Sequence, residues 1–355
     1  MQKSCLSPGA QLLARMSRAL EKSVTASLSS GDSAAAYEAI SQALVNFHAD
    51  QLHEELLEIE ILGKSHPLEP GTYLLQDGNA IAVSKLSLVQ AFFVARKKFH
   101  DYAASGGPKS TISPDNILAA TSVMLLMDPE NLTAANARKR LSIAEGQKSR
   151  ERLLSLIKRD GCFIDSLLTS RLHRHTKSPT LWSHRRWLVQ AASSHGIQPD
   201  VVGVVKNVVM VAGERHPRNY YAWCHARWLT GLIPDDDKDD ILEQLLAVTK
   251  GWCFRNHTDT SGWSFLHFLL IRLGGPTSLA VLEETTGLAA SLQWVNESTW
   301  VFLRTLTAFG ATGEKGLALF KEARKTLLLK TEEMEGRRVL EEALSWSERY
   351  QRRSS

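Results

Sequence analysis

The chain is poor in cysteine. Only Cys5, Cys162, Cys224 and Cys253 are present, and they are scattered. No two form a CxxC pair and no spacing reads as a disulfide framework, so a reducing cytoplasm is the expected compartment. Long apolar runs are also missing. The two most apolar stretches, near 117–127 and 201–212, are too short to span a bilayer, and Lys206 interrupts the second. No transmembrane segment is expected. The opening MQKSCLSPGAQLLARM has no sustained apolar core, which argues against secretion. The closing QRRSS holds no cysteine for C-terminal lipidation. Charge of one sign is not in excess: the formal net charge is +4, and no basic stripe stands out. A nucleic-acid partner is therefore not expected. With 43% apolar and 23% charged residues, the composition excludes a disordered chain.

What is present is tryptophan in a repeated setting. Trp182 opens WSHRRWL and Trp223 opens WCHARWL. Trp is followed by His two later, Arg four later, Trp five later and Leu six later. The positions are Trp182, His184, Arg186, Trp187, Leu188 and Trp223, His225, Arg227, Trp228, Leu229. Weaker copies start at Trp263 and Trp300, and a degraded one at 128–141 carries Ala135 in the Trp place. The anchors at 135, 182, 223, 263 and 300 are 47, 41, 40 and 37 residues apart. Helical hairpins stacked side by side have that period. Ser178-Pro179, Asn219, Asp259 and Asn296 supply helix-start residues ahead of four anchors. Second helices are expected between anchors, at 200–215 and 237–251. The acidic tract Asp235-Asp236-Asp237 reads as a solvated turn.

Outside the repeats, residues 1–33 read as a flexible arm. The 34–112 region reads as helical with a possible small hairpin: helix over 34–62, a hairpin around Asp77-Gly78, helix over 86–104. Five repeats occupy 113–310, and 311–355 reads as a charged helical region. On a helix, at about 100° per residue, the Trp and the Arg four later fall in line. The expectation is that each Arg lies along the indole one turn back in its own helix. The Trp, His and Arg sets, with Trp263 and Trp300, are read as structural. No metal site is expected: His173 and His175 face apart on a helix, and His184 and His225 belong to the repeat pattern.

The segment HPRNYYAWCHARWL (216–229) matches nearly throughout the repeat of protein prenyltransferase alpha subunits, Pro-x-Asn-Tyr-x-x-Trp-x-His-Arg-x-Trp. KSPTLWSHRRW (177–187) matches well, with Pro179 in the Tyr place, and NESTW (296–300) resembles that family's last repeat. The resemblance covers roughly 115–310. Lost Trp at position 135 and the long step from Trp182 to Trp223 depart from the farnesyltransferase alpha pattern. No leucine-rich or immunoglobulin-like addition of the Rab enzyme's large alpha subunit is visible.

The resemblance implies an all-α fold, a right-handed alpha-alpha superhelix of helical hairpins with a crescent shape. It implies a heterodimer with a separate beta subunit, which would hold the zinc, the isoprenoid pocket and the cysteine of a protein substrate. This chain would carry no cofactor itself. Its own contribution to the isoprenoid diphosphate would come from Lys177, five residues before Trp182. Arg218, at the corresponding place of the next repeat, and Tyr220 and Tyr221 are the further candidates. No catalytic residue is assigned. The leading expectation is an alpha-type subunit of a protein geranylgeranyltransferase. The other reading is a helical-repeat scaffold for protein–protein interaction without enzymatic function.

Overall fold

The computed structural model describes residues 32–46, 56–63, 65–308 and 312–354. The arm expected at 1–33 lies outside them except for its last two residues. The chain divides into two compact units, Met1–Leu167 and Leu168–Ser355. The first repeat copy, around Ala135, falls in the first unit and the other four in the second.

In the first unit, α1 (Ser33–Asn46), α2 (Lys85–Ala104) and α3 (Pro114–Met127) pack together. A three-stranded sheet lies between α1 and α2 in sequence: β1 (Glu58–Leu62), β2 (Leu74–Asp77) and β3 (Ala80–Ser84), ordered β1-β3-β2. Strands β2 and β3 make the antiparallel hairpin expected around Asp77-Gly78, with Gly78 at φ 57°. The helix expected to run to Leu62 is corrected: α1 ends at Asn46, and Glu58–Leu62 pairs in parallel with β3. Ile59 is buried between exposed Glu58 and Glu60, the two-residue alternation of a strand.

Helices α4 (Leu132–Gly146) and α5 (Arg150–Thr169) complete this unit. Ala135 is buried, but its small side chain leaves the centre to a polar cluster. Arg138 Nε donates to Asp160 Oδ1 at 2.8 Å, and its Nη1 donates to the Leu118 carbonyl and to the hydroxyls of Thr121 and Ser122. The guanidinium also lies 4.8 Å from the Phe163 ring centroid. A buried charge is tolerable only with this degree of pairing.

The second unit is all helix among its described residues. A single turn, α6 (His173–Thr176), precedes α7 (Pro179–Ser193). Then α8 covers 201–215, α-helical at Val201–Val204 and Met210–Arg215 with a π-helical turn at Val205–Val209. There follow α9 (Tyr220–Thr230), α10 (Lys238–Arg255), α11 (Thr260–Leu273) and α12 (Gly275–Leu292). The last three are α13 (Glu297–Ala308), α14 (Gly313–Lys330) and α15 (Met334–Ser354). Helices α7, α9, α11, α13 and α15 pack one on the next, and α12 packs on α14 in a second row. This is a stack of helical hairpins, as the Trp period predicts.

The anchors are its core. Trp223, Trp252, Trp263 and Trp300 are among the largest fully buried side chains. Trp252 of α10 meets Trp223 edge-on at 4.9 Å. It fits because residue 262 is glycine: a Cβ there would collide with the Trp252 ring. Trp346 of α15 extends the series: Arg304 lies 4.8 Å from its ring centroid.

Candidate functional site

Each anchor helix begins four residues before its anchor with a capping side chain. Asn131, Ser178, Asn219, Asp259 and Asn296 accept from the backbone N–H of Ala134, Leu181, Ala222, Gly262 and Thr299. Such caps satisfy otherwise orphaned amides. Asn219, Asp259 and Asn296 also reach back to the turn before the preceding anchor helix. Asn219 Nδ2 donates to the Thr176 carbonyl at 2.7 Å. Asp259 Oδ2 accepts from the Arg218 amide at 2.6 Å, and Asn296 Nδ2 lies 2.8 Å from His257 Nδ1. These bonds tie successive pre-helix turns together. Two of those turns carry Lys177 and Arg218.

Lys177 is exposed, at the C-terminal end of α6 and next to the Ser178 cap of α7. Arg218 is exposed on a backbone held at φ 60°. The left-handed conformation is unusual for a residue with a Cβ. Here the Asp259 carboxylate holds its amide. Tyr220 and Tyr221, in the first turn of α9, are exposed at 68% and 39%, with ring centroids 5.5 Å apart. The Tyr220 hydroxyl bonds to the Cys224 thiol, which raises its pKa above the usual phenol value.

Two residues that the repeat pattern did not single out join Lys177. The His173 and His216 rings meet edge-on with centroids 5.5 Å apart. Burial, then the Lys177 ammonium, then His173 hold the His216 pKa below the ordinary histidine value. The available signal was the i, i+4 spacing of His173 and Lys177 across one short turn.

The repeat residues take structural places. Trp182, Trp263 and Trp300 are buried, and each donates its indole N–H to the carbonyl six residues earlier, Thr176, His257 and Trp294. Trp223 is equally buried, but its indole N–H has no partner. The corresponding carbonyl, six residues before Trp223, is that of Pro217, and the next residue, Arg218, is left-handed. His184 is fully buried beside Trp187, at 5.9 Å between ring centroids. His225 Nε2 accepts from Arg185 Nη1 at 2.8 Å and packs against Trp182 and Trp228. Burial first, then Arg185 and Arg186, push its pKa down to about 2, so the ring is neutral.

The expected stacking of each Arg on its own helix's Trp is corrected. Arg186 lies 4.6 Å from the Trp228 ring centroid in the next repeat. Arg227 likewise reaches forward, 5.6 Å from the Phe268 centroid, and Nη2 donates to Ser264 Oγ at 2.7 Å. The indoles one turn back are sealed inside the stack, whereas the half-buried second Trp of the next repeat offers a face at the surface. Among the described residues no group of three or more His, Cys, Asp or Glu side chains is placed to hold a metal ion. Nor is any helix there long and apolar enough to cross a membrane.

Comparison with known proteins matches residues 166–192 to the family described as protein prenyltransferase alpha subunit repeat, and residues 181–292 to the ECM9 middle domain. Protein ECM9 of Saccharomyces cerevisiae is 31% identical over 165 residues, 46% of this chain and 42% of that protein. Protein prenyltransferase alpha subunit repeat-containing protein 1 of Homo sapiens is 29% identical over 195 residues, 50% of this chain and 45% of that one. Geranylgeranyl transferase type-2 subunit alpha of Mus musculus is 26% identical over 160 residues, 45% of this chain and 26% of that subunit. The matched stretch thus spans less than half the length of each relative. The repeat at Trp182, the stacked hairpins and these relatives agree: the chain carries a match to the protein prenyltransferase alpha subunit repeat and resembles the proteins that contain it.

Proposed function

We propose that the chain is the alpha-type subunit of a protein prenyltransferase of the geranylgeranyl kind, working in the cytoplasm as a heterodimer with a beta-type subunit. The beta-type subunit would hold the zinc and the isoprenoid chain. Its zinc would turn the C-terminal-region cysteine of a protein substrate into a thiolate nucleophile. The relative named as a geranylgeranyl transferase subunit supports the choice of isoprenoid.

The observation that carries the reading is Lys177. It stands exposed beside the N-terminus of the 15-residue helix α7, whose first amides and cap leave that end positive. An ammonium at such an end favours an anion, and a diphosphate is the anion of this chemistry. As the bond to the isoprenoid carbon breaks, negative charge builds on the diphosphate. A fixed cation is worth more then than in the ground state. Arg218, Tyr220 and Tyr221 lie within the next repeat's helix start, tied through Asn219 to the turn before Lys177. In this reading they would add a second cation and two hydroxyls.

Co-expression with each candidate beta-type subunit, followed by a transfer assay on a protein ending in a cysteine motif, tests the reading. Co-purification with transfer supports it. A chain that joins no such subunit is the helical-repeat scaffold instead.

A further inference from the structure

Successive anchor helices of the second unit share one surface contact. The Arg four residues after an anchor reaches forward to an aromatic ring of the next anchor helix. Arg186 lies 4.6 Å from the Trp228 centroid, and Arg227 lies 5.6 Å from that of Phe268. Arg304, four after Trp300, lies 4.8 Å from the Trp346 centroid. Between α11 and α13 both halves of the contact are replaced. His267 stands in the Arg place after Trp263, and Thr305 stands in the aromatic place after Trp300. A cleft of about 140 Å³ opens at that step. The buried rings of Trp263 and Phe302, with centroids 4.7 Å apart, form its apolar lining. Ser264, His267, Val301 and Thr305 surround them, each exposed or half-buried.

The volume suits one aromatic ring, since an apolar cavity of about 150 Å³ takes up benzene. Charge then selects among ring-bearing partners. Helices α7, α9 and α11 hold Arg185, Arg186, Arg227 and Arg272 and no Asp or Glu. Arg227 Nη2 donates to Ser264 Oγ at 2.7 Å, so this guanidinium stands at the edge of the cleft. Arg272 lies 3.6 Å from the Phe268 centroid, on the ring that Arg227 also approaches. Neither arginine is paired with a carboxylate among the described residues. A guanidinium stacked on a ring keeps N–H groups at its edge for a carboxylate. A cationic occupant would be repelled there. Burial, then Arg227, hold the His267 pKa below the ordinary histidine value, so its imidazole is a neutral wall at pH 7.

We propose that the cleft between α11 and α13 is a docking pocket for an acidic segment of a partner protein. The segment inserts one tyrosine ring against Trp263 and Phe302 and sets its flanking carboxylates against Arg227 and Arg272. The ring supplies from outside the aromatic that position 305 lacks. Tyrosine fits because the hydroxyls of Ser264 and Ser298 line the same cleft and can meet a phenol. A ring seated in a desolvated pocket is the kind of anchor that dominates binding at protein surfaces. The inference stands apart from the diphosphate chemistry proposed for Lys177.

The test uses the full chain with isotope-labelled Val and Thr methyl groups. The probes are p-cresol, the tyrosine side chain alone, and the synthetic peptide Glu-Asp-Tyr-Asp-Glu. Both should shift the Val301 and Thr305 methyl signals saturably, because a seated ring alters the field at its walls. The peptide with Ala in place of Tyr should bind about tenfold or more weakly. Lys-Lys-Tyr-Lys-Lys should also bind more weakly, and Arg227→Gln should weaken the acidic peptide while sparing p-cresol. The double variant His267→Arg, Thr305→Phe rebuilds the contact of the other steps. It should close the cleft, abolish the Val301 shift and raise the urea midpoint. Ser264→Trp, a change at an exposed position, covers the cleft without altering the core and should block both probes. Methyl signals unmoved by an excess of both probes overturn the inference. Equal binding of the Tyr and Ala peptides, or undiminished binding to a folded blocked variant, does the same. Binding of p-cresol without the peptide also overturns it, because the cleft would then take a small aromatic and not a protein segment.

Discussion

Asn219 donates to the same Thr176 carbonyl that receives the Trp182 indole N–H, at 2.7 and 2.9 Å respectively. One oxygen thereby joins the cap of one repeat to the anchor of the repeat before. Asn219→Ala should destabilise the second unit by about 2–4 kcal/mol, the sum of a lost cap and unpaired buried groups. Asn219→Asp keeps the cap oxygen and loses the donor, so it should cost less. All nine tryptophans stand between 182 and 346, so fluorescence-detected urea unfolding reports this unit. Equal midpoints for wild type and Asn219→Ala would refute the link.

The unpaired indole of Trp223 separates it from its counterparts. Trp223→Ala should cost about 3–5 kcal/mol, as for any packed aromatic. Trp223→Phe keeps most of the packing and removes an N–H that has no acceptor. Trp263→Phe removes a bond to the His257 carbonyl. The Trp263 change should therefore be the worse of the two by about 1 kcal/mol. The same unfolding assay decides, and the reverse order would contradict the assignment.

Arg186 and Trp228 should be coupled by about 0.5–1 kcal/mol in a double-mutant cycle, the range for an exposed cation–π pair. Arg186 and Trp182 should show no comparable coupling. Coupling to Trp182 instead would restore the intrahelical arrangement.

His225 predicts a pH dependence with a definite sign. Its folded pKa of about 2 lies far below the ordinary histidine value. Below that ordinary value the unfolded chain takes up a proton that the native ring refuses. The contribution to stability is intact above about pH 6.5 and is lost as pH falls from there toward the folded pKa. Between pH 7 and pH 5 the loss should reach about 2 kcal/mol. His225→Gln, which keeps an acceptor for Arg185, should flatten that part of the curve. An unchanged slope would show that other groups set it.

The stacked hairpins were legible because Trp, His and Arg recur at one period, with a capping residue four before each anchor. Asn219, Asp259 and Asn296 announce helix starts by type alone. Their second bonds, back to the previous turn, were not legible, since side chains of that kind cap helices whether or not they also reach a neighbour. The direction of Arg186 was misread for a related reason. Spacing fixes which residues share a helix face, but which indole is free to be stacked upon depends on burial between helices. Strand β1 escaped notice because Glu58–Leu62 is a short alternation that a helical reading absorbs. His173 and His216 lie 43 residues apart and meet only through the fold.

The most direct test of the central claim is single-turnover transfer by the complex with a beta-type subunit, comparing wild type with Lys177→Ala. Loss of one charged contact to the departing diphosphate is worth about 1.5–3 kcal/mol, or roughly ten- to a hundred-fold in rate. The account predicts that loss with beta-subunit binding unchanged, and partial recovery in Lys177→Arg. A Lys177→Ala complex that transfers at the wild-type rate would contradict it.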